Sequence, residues 1–141
     1  MGAGGYALLV RYEEKPIADL RPLLEAQGIA TRQAGSCGEA ESMIARVEPP
    51  ALIFTDTVLS DGTWANVEGL AKRVSPEVPV IVVSRFVDLR LYLDVLDGGA
   101  SDFIVPPFRD IDIAHVVKGA LGGRFRFASS LARAATGEER S

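Results

Sequence analysis

The chain has 141 residues, of which 48% are hydrophobic and 24% are charged, a composition typical of one globular domain. Its net charge of −4 argues against broad nucleic-acid binding, which needs a basic surface. No apolar run approaches the roughly 20 residues of a membrane span. The single cysteine, Cys37, cannot form an internal disulfide. We therefore predict a cytoplasmic protein that binds neither nucleic acid directly nor membranes.

Five short apolar runs alternate with segments of helical periodicity. The runs are Tyr6 to Val10, Ile29 to Ala34, Ala51 to Phe54, Val78 to Val83 and Asp102 to Val105. The third and fourth runs are apolar throughout, which is typical of strands covered on both faces of a parallel sheet. We therefore predict five parallel strands.

The first two segments between these runs carry helix signals. Pro16 to Gln27 contains Pro22, which predicts a kink unless the helix starts near Asp19. Ser36 and Glu39 form a capping box at the start of the second helix.

The later helices show apolar stripes and end signals. The third helix has a stripe at Trp64, Val67, Leu70, Ala71 and Val74. Asp88 is the predicted N-cap of the fourth helix, and Gly98 or Gly99 suits its C-terminal cap. On that helix we expect one leucine stripe to face inward and a second apolar set to form a contact site. The inward stripe is Leu89, Leu93 and Leu96, and the outward set is Leu91, Tyr92 and Val95.

The alternation of strands and helices predicts an α/β fold. We expect a flavodoxin-like (βα)5 three-layer sandwich with a five-stranded parallel sheet, formed by residues 5–121. Residues 122–141 have no second core and are interpreted as a tail or a linker. In such sheets, ligands bind beyond the carboxyl ends of the strands, where the strand order reverses.

Polar and charged residues follow several of the predicted strands. Asp56 closes strand three, Ser84 closes strand four, Pro106 closes strand five, and Arg11 follows strand one. An aspartate in this place can act as a nucleophile toward a phosphoryl group. Such chemistry depends on charge neutralisation, which commonly uses Mg²⁺ bound by one or two carboxylates.

These residues resemble a response-regulator receiver domain of the chemotaxis-regulator-like type. Ser60 to Gly62 and the segment Gly98 to Phe108 match loop patterns of that family. The resemblance implies that Asp56 is the phosphoacceptor, that Ser84 and Phe103 are switch residues, and that the bond before Pro107 is cis. It also implies Mg²⁺ as cofactor and a sensor histidine kinase or phosphotransfer protein as partner. Receivers of this family contact protein partners or form homodimers through the last two helices.

Three family positions are altered in this chain. Arg11 and Tyr12 stand where the family has an acidic pair, and Pro106 stands where it has a lysine. Mg²⁺ binding is therefore expected to be weakened, with Asp56, Glu13 and the backbone carbonyl of Val58 as the candidate ligands. Glu14 is a second nearby carboxylate. We hypothesise that Arg11 substitutes for the missing charge by forming an ion pair with Asp56.

Three functions remain open at this point. The first is a receiver phosphorylated on Asp56, with no enzyme activity beyond its own phosphorylation and dephosphorylation. The second is a pseudo-receiver that binds a partner or dimerises regardless of phosphate. The third is a small α/β enzyme or nucleotide binder, which the absence of a glycine-rich phosphate loop disfavours.

Overall fold

The computed structural model describes residues 5–45 and 49–122. It contains five parallel strands in the order β2-β1-β3-β6-β7, together with a short antiparallel β4–β5 hairpin. The strands are β1 (Tyr6–Val10), β2 (Ala30–Ala34), β3 (Leu52–Asp56), β4 (Val58–Leu59), β5 (Gly62–Thr63), β6 (Val80–Val83) and β7 (Asp102–Ile104). The predicted parallel α/β fold is therefore confirmed. All but the first residue of the predicted tail, 122–141, lies outside the described residues.

In the described part of the chain, four α-helices connect the five strands of the parallel sheet, and a fifth follows the last strand. They are α1 (Leu20–Glu25), α2 (Cys37–Ile44), α3 (Trp64–Val74), α4 (Leu89–Gly98) and α5 (Asp110–Gly122), and a 3-10 turn at Ile17–Asp19 precedes α1. Pro22 is the third residue of α1, a position where a backbone N–H would have no intrahelical acceptor, so the missing N–H of proline costs the helix no hydrogen bond. The alternative helix start near Asp19 is therefore confirmed. No helix in the described part of the chain is long and apolar enough to cross a membrane.

The predicted helix caps are largely present. The Ser36 hydroxyl accepts the N–H of Glu39 at 3.0 Å, but the Glu39 carboxylate accepts the N–H of Gly35 and so completes the cap one residue earlier than predicted. Asp88 caps α4 by accepting the N–H of Leu91. Gly99 ends α4 with φ +92°, a left-handed conformation that favours glycine.

The core lies on both faces of the parallel sheet. Alternate residues of β1 point to opposite sides, so that Ala7 and Leu9 pack with α1 and α5 while Leu8 and Val10 pack with α2 and α3. A smaller cluster packs α4 against the sheet through Val82, Val95 and Phe103. Three layers result, as expected from the sequence.

The prediction for the two faces of α4 was wrong. Val95 is fully buried, and Leu91 and Tyr92 pack partly buried against the cluster that contains Phe103. The leucine stripe expected to face inward is instead exposed, with 65% of Leu89, 54% of Leu93 and 47% of Leu96 accessible. The exposed apolar face of α4 is therefore the leucine face, which we define as Leu89, Leu93 and Leu96.

Candidate functional site

The strand register places the predicted site at one edge of the sheet. Val10 of β1 pairs with Thr55 of β3, and Asp56 pairs with Val83 of β6. The carboxyl ends of these three strands therefore lie side by side. The chain order reverses between β1 and β3, which is where ligands bind in open α/β sheets.

Asp56 is the last residue of β3, the central strand. Its exposed fraction is 5%, and the backbone N–H of Tyr12 donates to its Oδ2 at 2.7 Å. The backbone N–H of Glu13 bonds the same carboxylate. Burial raises the pKa of Asp56, and these hydrogen bonds and the positive charge of Arg85 oppose the rise. The structure thus holds a carboxylate in a fixed and partly desolvated position.

Arg85 and Glu13 form an ion pair beside this carboxylate. Nη2 of Arg85 donates to Oε1 of Glu13, and about half of each side chain is exposed. The pKa of Arg85 is raised, first by this hydrogen bond and in smaller part by the charge of Asp56. The sequence analysis did not identify Arg85, because it stands 72 positions from Glu13 along the chain.

Arg11 does not form the predicted ion pair. Its Nε donates to Oε1 of Gln33 at 2.6 Å, and its backbone N–H donates to the carbonyl of Ala34. Both acceptors belong to β2, which lies on the other side of β1 from β3. Among the ion pairs of the described residues, none joins Arg11 to Asp56. The hypothesis that Arg11 substitutes for the missing charge is therefore wrong in this structure.

The two predicted switch residues are both buried. The hydroxyl of Ser84 donates to the carbonyl of Phe86 at 2.8 Å, so it is engaged in the turn that follows β6. Phe103 is completely buried and meets the ring of Tyr92 edge-on, with 5.9 Å between the ring centroids. Within the described residues, neither of these two side chains is hydrogen-bonded to Asp56.

The prolines after β7 have the geometry that the resemblance implies. The bond between Pro106 and Pro107 is cis, as predicted, and a second cis bond, which was not predicted, joins Lys15 to Pro16. Pro106 offers neither charge nor a side-chain donor at the position of the family's lysine.

The residues near Asp56 do not form the carboxylate cluster that the resemblance implies for Mg²⁺. Within residues 5–45 and 49–122, no group of three or more His, Cys, Asp or Glu side chains could hold a metal ion. The carboxylate of Glu13 is bound by Arg85, and Val58 begins the short strand β4. Tyr12, at one of the acidic-pair positions, contributes its backbone N–H rather than an oxygen ligand. In this structure Glu13, the candidate metal ligand beside Asp56, is therefore engaged by Arg85.

Asp61 has a structural role that the sequence analysis missed. Its carboxylate accepts the backbone N–H groups of Cys37 and Gly38 at 2.7 and 3.0 Å, which ties the β4–β5 hairpin to the start of α2. These hydrogen bonds lower the pKa of Asp61. Burial and the neighbouring Asp61 raise the pKa of Cys37 to about 11, which keeps its thiol protonated.

Comparisons with known proteins place this geometry in context. No protein-family model matches the chain. The chain is 32% identical over 93 residues to the response regulator protein PilR of Pseudomonas aeruginosa, a match that covers 63% of this chain and 21% of PilR. It is 31% identical over 117 residues to the nitrogen assimilation regulatory protein NtrX of Azorhizobium caulinodans, covering 81% of this chain and 26% of NtrX. The chain thus spans about a quarter or less of the length of these two curated relatives.

A solved structure agrees in both fold and sequence. The beryllofluoride-activated receiver domain dimer of NtrC4 superimposes with a TM-score of 0.72 at 27% identity, and the match covers 83% of this chain and 97% of that domain. Sequence relatives that are response regulators and structural neighbours that are receiver domains point to the same conclusion. The chain is therefore similar in sequence to response regulators and similar in fold to their receiver domains.

Proposed function

We propose that this chain is the receiver of a two-component phosphorelay and that Asp56 accepts the phosphoryl group. The observation that carries the proposal is the position of Asp56. It is a buried carboxylate at the carboxyl end of the central strand, oriented by the backbone N–H of Tyr12. Such a carboxylate is positioned to act as a nucleophile.

The proposed reaction transfers one phosphoryl group. A carboxylate oxygen of Asp56 attacks the phosphorus of a phosphohistidine, the P–N bond breaks, and its electron pair remains on the imidazole nitrogen, which takes up a proton. The hydrogen bonds from Tyr12 and Glu13 hold the carboxylate during the attack. The donor would be a sensor histidine kinase or a phosphotransfer protein in the cytoplasm. Beyond its own phosphorylation and dephosphorylation, the domain would be a signalling module rather than an enzyme.

Phosphorylation can be tested with a small-molecule donor. With acetyl phosphate, the carboxylate attacks phosphorus, the P–O bond to the acetyl group breaks, and acetate leaves. The intact mass of the protein is measured with time, in Mg²⁺ and in EDTA, beside Asp56→Asn. A gain of one phosphoryl group that the variant lacks supports the proposal. No gain in protein shown to be folded, or an equal gain in the variant, contradicts it.

A second candidate function is protein interaction that does not depend on phosphate, through the last two helices. The observation that favours it is the leucine face of α4, where about half or more of each side chain is exposed. The NtrC4 receiver domain is a dimer, so a second copy of this chain is the occupant to test first. Light scattering after size exclusion would show a dimer for the wild type and for Asp56→Asn, but a monomer for Leu93→Asp. A monomeric wild type would remove the dimer from consideration.

A further inference from the structure

The ion pair between Glu13 and Arg85 crosses the end of the strand that carries Asp56. Glu13 follows β1, and Arg85 follows β6. These two strands flank β3 on either side in the sheet. A direct contact between the loops that follow them must therefore pass over the carboxyl end of β3, where Asp56 lies.

Arg85 is the cation that the structure brings to Asp56. The side chain of Arg11 is directed to Gln33 on β2, and the family's lysine is replaced by Pro106. The positive charge of Arg85 opposes the rise that burial produces in the pKa of Asp56, and the charge of Asp56 adds in small part to the rise that Glu13 produces in the pKa of Arg85. The electrostatic contact therefore agrees with the placement of the two loops.

The chemistry of the two side chains explains what the contact can do. A guanidinium group presents N–H donors in a planar fork that matches the oxygens of a phosphoryl group. About half of the Arg85 side chain is exposed, so it can change partners without repacking the core. Glu13 holds it with a carboxylate, which a doubly charged phosphoryl group would replace as the stronger acceptor.

We propose that Arg85 is the phosphoryl-binding residue of this site and that Glu13 holds it over Asp56 in the unmodified protein. This inference rests on the proposed function, because it needs a phosphoryl group on Asp56. It assigns to one arginine the charge that the family takes from its lysine and its metal site. It also gives Glu13 a role opposite to that of a metal ligand, since Glu13 competes with the phosphoryl oxygens for Arg85.

The test compares rates of phosphorylation by acetyl phosphate, measured by intact mass. Arg85→Gln is expected to be slower by about 10²-fold, the lower end of the cost of losing one stabilising donor, because the guanidinium is half exposed. Arg85→Lys should recover part of the rate, since it restores the charge but not the fork. Arg90→Gln, the same change at an exposed arginine on α4, is the matched control and should react as the wild type does.

Glu13→Gln separates the two roles open to Glu13. If Glu13 restrains Arg85, the variant should react up to about fivefold faster, the amount by which an exposed ion pair favours the resting contact. If Glu13 is a metal ligand, the variant should react more slowly in Mg²⁺. Thermal unfolding of each variant shows that the fold is retained.

The outcomes distinguish this inference from the proposed function. A wild type that gains no phosphoryl group refutes both. A wild type that is phosphorylated on Asp56, with Arg85→Gln reacting at the same rate, refutes the role of Arg85 alone. A slow Arg85→Gln variant that Arg85→Lys partly restores, together with an unslowed Glu13→Gln variant, supports the inference.

Discussion

Asp56→Asn should stabilise the fold at neutral pH. The substitution replaces a carboxylate with an amide of nearly the same shape and removes a negative charge from a residue that is 5% exposed. Burial is the largest influence on the pKa of Asp56 and raises it, so the ionised form opposes folding. Removing the charge should therefore favour the folded state.

The size of the effect follows from two opposing contributions. A buried charge that is incompletely compensated lowers the stability of the folded state by about 1–3 kcal/mol or more, and the uncharged amide of asparagine avoids this cost. The amide oxygen can still accept the N–H of Tyr12, but a neutral acceptor is weaker than a carboxylate by about 1 kcal/mol. The expected net gain is about 1 kcal/mol, or about 3–5 °C in Tm for a domain of this size.

The pH dependence provides the sharper assay. Because the folded-state pKa of Asp56 is raised, its favourable contribution is fully present below the unfolded value near 3.8 and is lost as pH rises through the folded-state pKa. The Tm difference between Asp56→Asn and wild type should therefore grow with pH across that window and stay constant above it. Calorimetry at a series of pH values measures this Tm difference, and Asp94→Asn, the same change at an exposed residue, is the control. A variant less stable than wild type at neutral pH, or a difference independent of pH, would refute the reasoning.

Three further predictions concern the stability of the fold. Asp61→Asn should lower Tm at neutral pH and much less in acid, because the pKa of Asp61 is lowered and its contribution, present above 3.8, is lost as pH falls through the folded-state value. Gly99→Ala should lower the free energy of unfolding by about 1–2 kcal/mol, because Gly99 has a positive φ. The same change at Gly69, in the middle of α3 with open space around it, should raise the free energy of unfolding by about 1 kcal/mol. Equal effects of the two substitutions would contradict this. Ser84→Ala should lower the free energy of unfolding by about 1 kcal/mol, because it removes the hydrogen bond from the hydroxyl to the carbonyl of Phe86. An unchanged Tm would show that this hydrogen bond does not stabilise the fold.

The fold could be predicted because its signals are local. Runs such as Val80–Val83 are buried on both faces and therefore have no polar alternation, which distinguishes them from half-exposed strands, while their short length and β-branched residues distinguish them from buried helices. Caps such as Asp88 and Gly99 act on their own helix, so a few neighbouring residues suffice to place them. The position of Asp56 at the end of β3 followed from the same local pattern.

The errors concern relations between elements. Helix α4 has apolar residues on two sides, and periodicity identifies both faces without showing which one meets the sheet. The edge-on contact of Tyr92 with Phe103 belongs to the buried side. Likewise, a charged side chain that follows β1 can contact either neighbouring strand, and the side chain of Arg11 contacts Gln33 on β2. The cap that Asp61 supplies to α2 spans 24 positions, which no local pattern reveals.

The charges around Asp56 suggest how a change on that carboxylate would reach the surface. In the resting structure, Asp56 and Glu13 both act on the guanidinium of Arg85. A phosphoryl group would replace the single charge of Asp56 with about two, so it would attract Arg85 more strongly and repel Glu13. Arg85 stands four positions before Leu89, the first residue of α4 and of the leucine face. A shift of Arg85 toward Asp56 would therefore pull on the start of the helix that carries the exposed leucines.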